Sequence, residues 1–227
     1  MTSTTVTPGS ATPGAQTTRR ILLTGFEPFD GREHNASWIA ASALAQQNFP
    51  GVALRAALIP VRWGAPRRVL DPIVAEWQPH VIIGMGEGEP GVFRLESVAN
   101  NARRERADND GSFPGGRVID PDGPSCRTAS ADCATLCDAL TALAVPVRVS
   151  TDAGAFLCEE LLYTLESMRD TQPTLNTVLF VHVPPFGTAL EFRGRQRVCD
   201  EALLLEFAGL LLACVLSLPK KKIKLSE

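Results

Sequence analysis

The chain has 227 residues, 44% of them hydrophobic, with a formal net charge of −3 and a pI near 5.7. That length and apolar content are enough for one large core in a single α/β domain. The charge excludes a general electrostatic attraction to nucleic acid or to an anionic membrane, which leaves small molecules or peptides as substrates.

Residues 1–19 are expected to form a disordered tail. Met1 to Thr18 is rich in Ser, Thr, Pro and Gly and has neither the basic nor the apolar region of a secretory signal. A transit peptide would carry more arginine and an amphipathic helix, so the cytoplasm is the expected location. The six cysteines (Cys126, Cys133, Cys137, Cys158, Cys199, Cys214) are then expected to be reduced. Strand-length apolar runs follow at Arg20 to Thr24, Val52 to Pro60, Val81 to Gly86, Val145 to Thr151 and Val178 to Val183. Helical spacing lies between them at Ser37 to Gln46, Ala65 to Trp77, Ala131 to Ala144 and Gly154 to Met168. The alternation predicts a mostly parallel sheet with helices on both faces, and the segments ending at Thr24, Gly86, Thr151 and His182 are expected to meet at one rim.

Val92 to Asn101 alternates loosely, as an edge strand or hairpin arm does, and the polar stretch Asn100 to Ser130 has the length of a functional or disordered loop. The Leu-rich stretch Phe207 to Leu218, closed by Pro219, is too short to span a bilayer and reads as a buried terminal helix. The basic run 219–224 reads as a solvated end. One domain over 20–219 with a basic tail at 220–227 follows, with no membrane or nucleic-acid partner.

Cys158 falls in the opening turn of its helix, after Gly154, where free N–H groups and the macrodipole favour a thiolate. His182 closes an apolar, β-branched run. Of the three histidines, His34 lies in a turn-like stretch and His80 precedes a strand, so His182 is the candidate base. Glu96 offers a carboxylate to orient it. A core explains a buried cysteine and histidine equally well, and a lone Glu on a strand is usually solvated. Cys126, Cys133 and Cys137 are spaced seven and four apart with no histidine nearby, a poor match to a zinc site.

From Ile21 to about Glu206 the chain resembles pyroglutamyl peptidase I, the pyrrolidone-carboxylate peptidases. The motifs are Ile-Leu-Leu-Thr-Gly-Phe-Glu-Pro-Phe (21–29) with Asn35-Ala36-Ser37, Leu-Glu-Ser-Val-Ala-Asn-Asn (95–101) and Asp108-Asn109-Asp110-Gly111. Two more are Asp-Ala-Gly-Ala-Phe-Leu-Cys (152–158) with Tyr163, and Val-His-Val-Pro (181–184). The resemblance implies an α/β/α three-layer fold and a cysteine exopeptidase that removes amino-terminal pyroglutamate from peptides. Cys158 is then the nucleophile, His182 the base and acid, and Glu96 its orienting group. Phe26, Phe29, Asn35, Glu87, Phe156 and Leu157 bind the substrate, and Arg106 is an oxyanion candidate beside the Cys158 N–H. No metal or cofactor is implied, and family members form dimers or tetramers.

Three departures from the family pattern stand out. Gly86-Glu87-Gly88-Glu89-Pro90-Gly91 is shorter than usual and carries two extra carboxylates; recognition survives where Glu87 contributes only backbone atoms and weakens where its charge faces the lactam. Glu159 replaces an asparagine next to Cys158. A carboxylate there raises a thiol pKa, although helix-start acids commonly point to solvent. Asp30 and Ala36 replace a glycine and a proline. The alternative is therefore a homologue with altered specificity or a binding role.

Overall fold

The computed structural model describes residues 18–218. Residues 1–17 and 219–227 lie outside the described residues, and with them nearly all of the tail expected at 1–19 and the whole of that at 220–227. In chain order the elements are β1 (Arg19–Phe26), α1 (Ala36–Ala45), β2 (Val52–Ile59), α2 (Ala65–Trp77), β3 (Val81–Glu87), β4 (Phe93–Glu96), β5 (Val98–Asn100), β6 (Cys126–Thr128) and α3 (Cys133–Ala142). They continue with β7 (Val147–Ser150), α4 (Leu157–Met168), β8 (Thr177–Val183), β9 (Ala189–Phe192), β10 (Arg195–Val198) and α5 (Glu201–Ser217). β1 starts at Arg19, one residue inside the stretch expected to be tail, because Arg19 N–H donates to Gly51 O at 2.8 Å and Arg19 pairs with Val52.

Six strands form the central sheet in the order β2-β1-β3-β8-β4-β7. All neighbours are parallel except β4 and β8, which are antiparallel. α1, α3 and α5 cover one face and α2 and α4 the other, which gives three layers in one domain. Alternation within each strand explains the two cores. Ile21, Leu23, Leu179 and Val181 point to the α1/α5 side, and Leu22, Ile82, Val178 and Phe180 point to the α2/α4 side. The inner strands β1, β3 and β8 are buried on both faces and read as unbroken apolar runs; the edge strands β2 and β7 were also evident from sequence.

Two expectations change. The segment Val92 to Asn101 is not an edge strand: β4 is interior, between β8 and β7, while β5 alone forms a hairpin-like pair with β6. Likewise β7 runs opposite to β1, β3 and β8, so its carboxyl end does not share their rim. Ser150 pairs with Glu96, which lies opposite Phe180, two residues short of His182. Residues 151–156 then cross to α4 and return the chain to the site.

The Leu-rich stretch lies in α5, whose residues Phe207, Ala208, Leu211 and Leu212 are fully buried. No helix among the described residues is long and apolar enough to cross a membrane. Between β5 and β6 the segment Asn100 to Ser130 is irregular but pinned: Asn101 Oδ1 accepts from the N–H groups of Ile119 (2.8 Å) and Asp120 (2.9 Å), and Arg103 forks onto Glu160 of α4 at 2.8 and 3.3 Å.

Candidate active site

Cys158 is the second residue of α4, and the turn before it sets the helix direction. Gly154 (φ 94) and Ala155 (φ 53) both occupy the left-handed region, and Gly154 N–H donates to Asp152 Oδ1 at 2.8 Å. The capping residue Phe156 has no side-chain acceptor for the helix, so first-turn N–H groups stay available beside the thiol.

Position 86 fixes how the thiol meets the sheet. A Cβ built on Gly86 would lie 2.6 Å from Cys158 Sγ, 3.1 Å from Phe180 Cζ and 3.4 Å from His182 Cδ2. Only glycine leaves that space, and the sulfur and the imidazole converge on it. Gly86 also pairs with His182 across β3 and β8.

His182 Nδ1 lies 2.7 Å from Glu96 Oε1; the Glu96 side chain is fully buried and that of His182 is 4% exposed. The ring meets Phe180 edge to face at 5.1 Å. Phe93 and Leu95 fill the α5-side core, so the alternation of β4 turns Arg94 and Glu96 to the α4 side. Arg94 Nη2 comes within 3.2 Å of His182 Nδ1, and Arg94 Nη1 within 2.9 Å of Glu89 Oε1. Arg94 was not expected at the site, and Gly86 was expected only as a strand end and the start of the recognition loop. Alternation from Phe93 would have put Arg94 on the face of Glu96, had the strand been recognised as interior.

The lowered thiol pKa expected from the helix start is overturned. Burial pushes the Cys158 thiol from 9.0 up to about 12, the carboxylates of Glu96, Glu159 and Glu87 add to the rise, and Arg94 opposes it. Cys158 as a residue keeps partial exposure, so the desolvation falls on the sulfur packed against Gly86. Here desolvation and three nearby anions outweigh the helix N-terminus. Glu159 does not point to solvent either. It is 1% exposed, with Oε1 accepting from Asn100 N–H at 2.5 Å and Oε2 from Ala155 N–H at 3.4 Å. Burial raises its own pKa against those hydrogen bonds.

The remaining expected residues divide by environment. Phe26 and Leu157 are buried in the α2/α4-side core, where Phe29, Trp63, Phe156 and Cys158 form its partly exposed margin. Trp63 was missed from sequence; it meets Phe156 edge to face at 5.1 Å and donates through Nε1 to Arg106 O at 3.0 Å. Arg106 lies over the Phe156 ring at 4.5 Å and pairs with Asp30 at 2.8 Å. Asn35 caps α1: Oδ1 accepts from Ser37 N–H at 3.0 Å, and Nδ2 donates to Glu27 O at 3.0 Å. Glu87 Oε1 accepts from Ala36 N–H at 2.7 Å, at the start of α1, and Oε2 pairs with Arg32. Its charge is thus engaged by α1 and Arg32.

The His34 ring lies tilted against Phe186 at 4.9 Å, and His80 Nδ1 accepts from Arg20 N–H at 2.9 Å, at the amino end of β3. Cys133 and Cys137 turn their sulfurs to the carbonyls of Glu96 and Val147, and Cys126 is exposed on β6. A cavity of about 600 Å³ between α2 and α4 is lined by Arg67, Arg68, Arg103 and Glu160, among others, and by none of the expected site residues.

A family model for pyroglutamyl peptidase matches residues 19–193. A pyrrolidone-carboxylate peptidase of Pectobacterium carotovorum is 33% identical over 168 residues, which cover 73% of this chain and 78% of the relative. One of Streptomyces coelicolor is 34% identical over 179 residues, covering 75% and 82%. The pyroglutamyl peptidase I structure from Bacillus amyloliquefaciens has a TM-score of 0.74 at 25% identity over 87% of this chain and 95% of that one. A mutant pyrrolidone carboxyl peptidase from Pyrococcus furiosus shares the fold, with a TM-score of 0.77 at 23% identity, over 87% and 98% of the two chains.

Proposed function

The chain belongs to the pyroglutamyl peptidase family, and from that premise we propose that it is a cysteine exopeptidase hydrolysing the amide bond after an amino-terminal pyroglutamyl residue of peptides, with Cys158, His182 and Glu96 as its catalytic residues. The observation that carries the reading is the convergence of Cys158 Sγ and the His182 ring on position 86, with Glu96 on the far nitrogen of the ring.

A thiol held near 12 is neutral at rest. The chemistry therefore starts with proton transfer: His182 takes the thiol proton as sulfur attacks the pyroglutamyl carbonyl, and Glu96 stabilises the imidazolium that forms. The S–C bond forms, the C–N bond breaks, and the leaving amine receives the proton from His182. Water then attacks the thioester with His182 again as base, releasing pyroglutamate and the thiol. The Cys158 N–H, in the first turn of α4, donates to the developing oxyanion, with Arg106 as the second donor.

Phe26 and Leu157 form the floor of an apolar slot for the flat, uncharged lactam, and Phe29 and Phe156 its walls. Asn35 orders the loop before α1. Glu87 contributes backbone atoms only, since its carboxylate is held by Ala36 N–H and Arg32. That engagement favours the pyroglutamyl reading over altered specificity. In the test, a pyroglutamyl fluorogenic amide is compared with prolyl and alanyl amides, with and without a thiol alkylator and a chelator. Release from the pyroglutamyl amide alone, abolished by alkylation and by Cys158→Ser in a folded protein, is expected. No release from the reduced, folded parent sinks the reading.

A further inference from the structure

We propose that Arg94 is a positioning residue for the Glu96–His182 pair: it keeps negative charge on Glu96 and so holds the imidazole proton on Nδ1, with Glu89 fixing Arg94 in place. The inference rests on the roles given to Cys158 and His182 above.

Glu96 is fully buried, and its Oε2 has no hydrogen-bond partner among the described residues. A buried carboxylate needs a counter-charge, and the guanidinium supplies one. Arg94 Nε lies 3.4 Å from Glu96 Oε1, an ion pair rather than an aligned hydrogen bond. His182 Nδ1 has two neighbours, Glu96 Oε1 at 2.7 Å and Arg94 Nη2 at 3.2 Å, and it cannot donate to one while accepting from the other. The guanidinium stays charged, so the carboxylate beside it stays an anion and the ring donates through Nδ1. Nε2 then carries the lone pair. Cδ2, the ring carbon bonded to Nε2, is the His182 atom that faces position 86 and the sulfur.

Glu89 completes the arrangement. Its Oε1 lies 2.9 Å from Arg94 Nη1 and its Oε2 2.6 Å from Arg148 Nη2. Arg148, Glu89, Arg94 and Glu96 thus alternate in sign from a half-exposed rim (54% and 55%) to the buried site (15% and 0%). The outer pair contributes little to stability in water; it selects one rotamer of Arg94. The charged groups that act on the thiol are Glu96 and Arg94 from β4, Glu159 from α4 and Glu87 from β3. Arg94 is the cation among them.

Arg94→Met, Arg94→Lys and Glu89→Gln are made in the full chain. The His182 tautomer is read by proton–nitrogen correlation, assigned against His182→Gln. The rate of iodoacetamide reaction at Cys158 is followed with pH, and kcat and KM are measured on a pyroglutamyl amide. Arg94→Met is expected to move the ring towards the Nε2–H tautomer, shift the alkylation profile to higher pH, and lower kcat by about tenfold or more while KM moves less than about twofold. Arg94→Lys restores the charge, the tautomer and part of kcat, and Glu89→Gln gives a smaller loss of the same kind. An Arg94→Met protein that keeps the Nδ1–H tautomer and the parent alkylation profile overturns the proposal, as does a fall in melting temperature alone. A parent inactive on the amide removes the substrate reading, while tautomer and alkylation still decide the role of Arg94.

Discussion

At position 86 there is room for a hydrogen and little more, because a methyl group there would lie 2.6 Å from Cys158 Sγ. Gly86→Ala should push the sulfur or the start of α4 away from the sheet. An overpacked core costs about 1–3 kcal/mol, and a reacting atom displaced by an ångström costs about 100-fold in rate. Turnover is therefore expected to collapse in a protein that still melts cooperatively; an Ala variant with parental kcat refutes the close approach. The thiol carries its own prediction. Reaction with iodoacetamide follows the thiolate, so for a group raised to about 12 the rate climbs through the alkaline range instead of levelling near neutrality. Glu159 is one of the anions that raise it. Glu159→Gln keeps an acceptor for Asn100 N–H but removes the charge, so the rate–pH curve should move to lower pH. A curve that stays put, or moves up, contradicts the electrostatic account.

β4 shows at the scale of an element what sequence could and could not reveal. β1, β2, β3, β7 and β8 announce themselves through apolar runs. β4 has one apolar face, Phe93 and Leu95, and one ionic face, Arg94 and Glu96, so it reads as an edge although it lies between β8 and β7. Its polar face is buried because it serves the site. Cys158, His182 and Glu96 were read as candidates from motif, and alternation along β4 offered Arg94, but the approach of Gly86 to His182 arises from strand register, which no local pattern encodes. Glu159 misled because a helix-start acid is ordinarily solvated, whereas α4 is covered on nearly every side. Glu160 shows how that cover is held: Oε1 accepts from Gly64 N–H at 2.9 Å, at the cap of α2, and both oxygens meet Arg103 of the long polar segment. Glu160→Ala leaves Arg103, 17% exposed, without its carboxylate partner. Breaking such a pair costs about 3 kcal/mol, a fall of roughly 6–12 °C in melting temperature. Hydrogen exchange should rise first in Asn100 to Ser130; a uniform rise across the sheet would contradict this anchoring.

The whole molecule separates stability from chemistry by face. On the α1/α5 side the core is continuous and apolar, with Phe93 stacked on Phe207 at 3.7 Å and meeting Phe192 edge to face at 6.2 Å. On the α2/α4 side the core gives way at its margin to Cys158, His182 and buried carboxylates, where desolvated charge works against stability. The same strand spans both: Phe93 and Leu95 root β4 in one core while Arg94 and Glu96 reach into the site. A cavity cut behind the sheet should therefore weaken the fold without altering the reacting groups. Phe207→Ala is the cleanest cut, since α5 supplies none of the residues given a role in catalysis. Truncating a fully buried Phe costs about 3–5 kcal/mol, a drop of roughly 10 °C in melting temperature for a chain of this size. At temperatures well below the new transition, kcat and the alkylation profile of Cys158 should match the parent. A variant that loses turnover while still folded would mean that the apolar face helps hold β4 in register, and that the two sides of the sheet are not independent.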